Sequence, residues 1–78
     1  MKFKKLDTVV LDRDVPEKGL RRGDLGAVVE VHEADGLEVE FVTASGRTQA
    51  VVTLTAGDVR AIEQEDLIAV RSLAKSGG

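Results

Sequence analysis

The chain has 78 residues, no cysteine, eleven basic and fourteen acidic side chains, and a net charge of −3. A chain of this length makes one domain that buries only about 60% of its unfolded surface. Without cysteine it has no disulfide framework, thiolate nucleophile or cysteine-based zinc site. The acidic balance argues against nonspecific nucleic-acid binding, and no apolar run is long enough for a signal peptide or a membrane span.

Asp7 to Arg13 reads as a first strand, rich in β-branched and apolar residues from Thr8 to Leu11. Asp14 to Gly23, with the single proline, is a surface loop that Val15 and Leu20 anchor to the core. Gly23 and Gly26 then lead into a second strand, Asp24 to Glu33. Gly23 suits a positive φ at the loop exit, and Gly26, lacking a Cβ, lets another segment cross close by. Leu37 to Thr43 and Arg47 to Leu54 are the third and fourth strands. Thr55 to Asp58 is a tight turn, and Val59 to Ile62 a short fifth strand.

Strand parity predicts the registers. Leu25, Ala27, Val29 and Val31 form the inner face of the second strand, and Leu37, Val39 and Phe41 that of the third. A three-residue loop, Ala34-Asp35-Gly36, with Gly36 at its left-handed position, sets Val31 opposite Val39 and Val29 opposite Phe41. The next hairpin pairs Phe41 with Ala50, Val39 with Val52 and Leu37 with Leu54, leaving a Ser45-Gly46 turn. Val9, Leu11 and Val59 complete the expected core. Phe3 is expected to be exposed.

Leu67, Val70, Leu73 and Ala74 recur at helical spacing, which predicts a short amphipathic helix from Glu65 to Lys75. Asp66 near its start and Lys75 near its end suit the helix dipole. The expected fold is all-β: a five-stranded SH3-like, or KOW-like, barrel over residues 1–62, with residues 63–78 a helical appendage and flexible end.

The ordered segments Leu6 to Leu11, Val15 to Leu20, Gly23 to Val29 and Glu38 to Phe41 resemble a bacterial family of short, often stand-alone SH3-like proteins catalogued as a domain of unknown function. The resemblance spans residues 4 to 62. It implies a five-stranded barrel without known enzymatic activity, encoded beside a second small protein that would be its partner, as in a toxin–antitoxin or immunity pair.

No constellation points to catalysis, a metal or a cofactor. His32, the single histidine, faces Glu38 and lacks the further ligands that a metal needs. The available serines and threonines have no base with an orienting group, and a small barrel filled by side chains offers no dry cleft for paired carboxylates. Without Tyr or Trp the chain cannot build the aromatic groove of a proline-rich-peptide binder.

The expected function is therefore non-enzymatic protein binding or self-association, in the cytoplasm and away from the membrane. The outer sheet face supplies Val28, Val42 and Val51 and the acidic Glu30, Glu38 and Glu40; the predicted register sets Val28 opposite Val42 and Glu30 opposite Glu40. The apolar helix face, Leu67, Val70 and Leu73, either docks on this sheet or joins the partner surface. The alternative is RNA or ribosome association through the basic first loop, with Arg13, Lys18, Arg21 and Arg22.

Overall fold

The computed structural model describes residues 2–73. They form an all-β fold of five strands: β1 (Thr8–Leu11), β2 (Leu25–Val31), β3 (Gly36–Val42), β4 (Thr48–Thr55) and β5 (Val59–Ala61). These make one antiparallel sheet in the order β4-β3-β2-β1-β5. The eight-residue β4 and the three-residue β5 are its two edges and do not pair with each other. No helix among the described residues is long and apolar enough to cross a membrane.

The first loop is compact because its ends bond to each other. Val15 and Leu20 exchange two backbone hydrogen bonds of 3.0 and 3.1 Å around the 3₁₀ turn Pro16–Lys18. Both side chains are buried, as the sequence predicts. Gly23 leaves the loop at φ +98°, the conformation expected of it. A second 3₁₀ turn, Ala56–Asp58, joins β4 to β5 through a capping box in which the Asp58 carboxylate accepts the Thr55 N–H at 2.9 Å.

The core is aliphatic and centred on Val9, Leu11, Val28, Leu37, Val39, Phe41, Leu54 and Val59. Phe3 also belongs to it, at 5% exposure, which corrects the expectation that it is exposed. The terminal segment is tied to β2, where the Leu6 N–H donates to the Val28 carbonyl and the Val28 N–H to the Asp7 carbonyl. Leu6 takes φ +76° and points outward, while Phe3 turns in. In a chain with two aromatic side chains, burying both is a large share of the available apolar burial.

The β2 register departs from the prediction. Val28 pairs with Val39 and is fully buried, whereas Leu25 lies outward and Ala27 and Val29 are only half-buried. A bulge between Val28 and Glu30 inserts one residue and switches parity, so Glu30 faces Glu38 and Val31 faces Leu37. Val28 is therefore not opposite Val42, nor Glu30 opposite Glu40. The β2–β3 loop keeps three residues but is Glu33-Ala34-Asp35, closed by the His32 N–H on the Gly36 carbonyl, with Ala34 rather than Gly36 left-handed at φ +65°.

The β3–β4 register is the expected one, with Leu37–Leu54, Val39–Val52 and Phe41–Ala50 as partners. A bulge between Phe41 and Val42 lengthens the turn to Ala44-Ser45-Gly46, closed by the Thr43 N–H on the Arg47 carbonyl. Gly46 takes the left-handed position at φ +88°.

The predicted helix from Glu65 to Lys75 is corrected. After a turn at Gln64 and Glu65, residues 66–73 have no regular secondary structure; Ala74 and Lys75 lie outside the described residues. A helix this short is marginal in water without a docked face. Here two arginine–aspartate pairs hold the segment in another shape.

Candidate functional site

The outer face of the sheet is ordered in cross-strand rows, because directly paired residues share a face. One row is Arg60, Val10 and Leu25 across β5, β1 and β2. The next is Thr8, Ala27, Glu40 and Val51 across β1 to β4, and the last is Glu30, Glu38 and Thr53 across β2 to β4. An apolar end with one arginine thus grades into an acidic end.

Residues 62–73 run over the apolar end as a strap. At its start, Arg60 donates both terminal guanidinium nitrogens to Asp66, each at 3.0 Å, and the Glu63 N–H donates to the same carboxylate at 2.7 Å. Further on, Arg71 donates through Nε to Asp24 Oδ1 at 2.8 Å and through Nη2 to Oδ2 at 2.6 Å. The same Nη2 reaches the Gly19 carbonyl at 3.0 Å. Two-point arginine–carboxylate pairs fix orientation as well as distance. Sequence reasoning placed Asp66 near a helix start and gave Arg71 no partner. The partner of Arg71 is 47 residues away, so local spacing carried no sign of the pair.

Between strap and sheet lies a half-open cleft of about 660 Å³. Its walls include Val10, Leu25 and Val42 from the sheet and Ile62, Ile68 and Val70 from the strap. Val10 is buried yet stands outside the main core cluster, so its cover comes from this outer side. Leu67 and Val70 point into solvent at 94% and 97% exposure, and Leu73 is also exposed. Charged pairs therefore hold the strap down while much of its apolar surface stays bare.

Of the sequence-predicted partner residues, Val42, Leu67, Val70 and Leu73 meet at this cleft. Val28 does not, since it is inside the core. Val51 is exposed beside Glu40, which accepts a hydrogen bond from the Thr48 hydroxyl. Glu30 lies 3.7 Å from the Lys5 ammonium. The expected His32–Glu38 contact is present at 2.9 Å. This hydrogen bond, with that of the Thr53 hydroxyl, holds the Glu38 carboxyl below the usual glutamate range against slight desolvation.

Two of the four cations of the basic loop are paired with neighbouring carboxylates. Arg13 pairs with Asp58 at 2.9 Å and Arg22 with Asp12 at 3.1 Å. The Arg22 N–H also donates to Asp14, and the Arg21 N–H to Asp24. Lys18 and Arg21 make no ion pair among the described residues.

Acid is expected to loosen the strap. Burial pushes the Asp24 carboxyl up, but hydrogen bonds from Arg71 and the Arg21 N–H, with both positive charges, bring it below its ordinary 3.8. Asp66 is lowered by its hydrogen bond from Arg60 and then by that from the Glu63 N–H. A carboxyl with a lowered folded-state pKa contributes stability that is fully present above the unfolded value and lost as pH falls through the folded one. In a pH titration followed by amide resonances, Glu63 and Arg71 should therefore shift together below pH 3.8, ahead of Val28 and Val39. Shifts that coincide with core unfolding would show that the strap has no separate acid transition.

Neither curated proteins nor solved structures give a match to this chain. A family model does match, over residues 5–61, from the strand β1 region through β5. The match stops where the strap begins, so the sheet is the shared part and the strap lies beyond it. By that match over most of its length, the chain belongs to the family described as Domain of unknown function (DUF4926).

Proposed function

We propose that this protein is a non-enzymatic protein-binding module with SH3-like barrel architecture. It would act as the small partner of a neighbouring bacterial protein in the cytoplasm, in an antitoxin, immunity or accessory role. The strand order β4-β3-β2-β1-β5, with a short last strand beside the first, supports the SH3-like reading.

One observation carries the binding role: a segment pinned by two arginine–aspartate pairs holds Leu67 and Val70 almost wholly in solvent. Apolar surface concentrated beside a cleft marks interaction sites rather than scattered exposure. Leu67→Ser combined with Val70→Ser should leave the thermal midpoint unchanged while abolishing co-elution with the co-expressed product of the adjacent gene. Co-elution that survives both changes would place the docking surface elsewhere.

RNA association through the first loop is the weaker reading, because Arg13 and Arg22 are already spent on carboxylates. Tight binding in a mobility-shift assay, falling steeply with salt, would reverse this order.

A further inference from the structure

The geometry points to a peptide site in the cleft under the strap, one that takes an extended apolar segment ending in a free carboxylate, with Arg47 as its anchor. This rests on the strap being the binding element and adds what the element binds. The volume of about 660 Å³ lies within the roughly 300–1,000 Å³ of ligand-binding clefts.

Charge identifies the anchor. The lining holds three guanidiniums, Arg47, Arg60 and Arg71, against two carboxylates, Asp24 and Asp66. Arg60 is committed to Asp66 and Arg71 to Asp24. Arg47 has no side-chain partner among the described residues, being held only through its backbone N–H and carbonyl at the β3–β4 turn. The cleft therefore carries one unmatched positive charge in a chain whose net charge is −3. A guanidinium with open donors at the rim of an apolar cleft fits a planar carboxylate in two-point geometry.

The main chain favours a peptide over a simple lipid acid. From Leu67 to Val70 no backbone N–H or carbonyl is bonded to another backbone group among the described residues. Four consecutive residues of the cleft wall thus have no main-chain partner among the described residues. A second backbone can satisfy them as an added strand would, whereas an acyl chain cannot.

The test uses the full chain labelled for amide spectra and titrated with acetyl-Ala-Val-Leu-Val as its free acid, the same peptide as its C-terminal amide, and decanoate. The free acid should shift the amides of Val42, Arg47 and Leu67 to Val70, and bind at least tenfold more tightly than the amide form. Arg47→Gln, a change at an exposed turn, should erase that difference without altering the thermal midpoint. Equal affinity of the two peptides, or a difference that survives Arg47→Gln, overturns the carboxylate anchor. Tighter binding of decanoate than of the free-acid peptide overturns the peptide assignment. If neither peptide binds while co-elution with the partner still depends on Leu67 and Val70, the cleft site fails and the strap's docking role stands.

Discussion

Phe41→Ala should lower the stability of the domain by about 3–5 kcal/mol, the range seen when a buried phenylalanine is truncated. Phe41 is 2% exposed on β3, paired with Ala50 and packed in the central cluster. Its ring also comes close to the backbone of β2 at Gly26. The lost burial and the cavity left behind act together, since the neighbouring strands are fixed by their ladders. For a domain whose total stability is about 5–15 kcal/mol, this is enough to populate unfolded chain at moderate temperature. Urea unfolding should show a lower midpoint at an unchanged slope. A loss under about 1 kcal/mol would mean that the core collapses around the missing ring.

Gly26→Ala should cost about 1–3 kcal/mol by the opposite route, overpacking. A Cβ at this position would sit 2.6 Å from Val39 Cγ1, 2.8 Å from Phe41 Cε2 and 3.1 Å from the Glu40 carbonyl oxygen. All three atoms belong to β3, whose backbone is paired on both sides, so the neighbours have little room to give. The cost should fall when Val39→Ala removes one of the colliding methyls. The double variant should then be more stable than the sum of the two single losses by about 0.5–3 kcal/mol. Additive losses would mean that the chain absorbs the extra carbon elsewhere.

Gly26 also shows how far the amino-acid pattern could be read. Its lack of a side chain implied a close crossing, and the side chains of β3 fill that space. The five strands, the tight turn before β5 and the anchors Val15 and Leu20 were legible because turn residues and apolar runs bracket each of them. The β3–β4 register was legible because Leu37, Val39 and Phe41 alternate cleanly with charged residues.

The β2 register was not. From Leu25 to Val29 the strand is apolar on both parities, so alternation cannot tell inside from outside. The bulge before Glu30 is a backbone event that no side chain announces. The C-terminal segment failed for a different reason. Its helical spacing is real, but a helix needs a surface to bury its apolar face. Instead, the guanidiniums of Arg60 and Arg71 found carboxylates, and only one of these is nearby in sequence. The clamps that shape the candidate site were thus hidden in long-range pairing, even though Val42, Leu67, Val70 and Leu73 beside the cleft had been singled out.

The inequality of the two sheet edges bears on how the protein behaves when crowded. β5 offers three residues, too short a template for another strand to grip. β4 offers eight, Thr48 to Thr55, without a single charge or proline among them. Natural sheets usually guard a long edge with lysine, proline or a covering segment, because bare main-chain groups recruit further strands. Any growth by edge pairing in this protein would therefore be one-sided. A pair of chains joined β4 to β4 would present only the short β5 edges at either end, so pairing at that edge stops at two copies and gives no open-ended fibre.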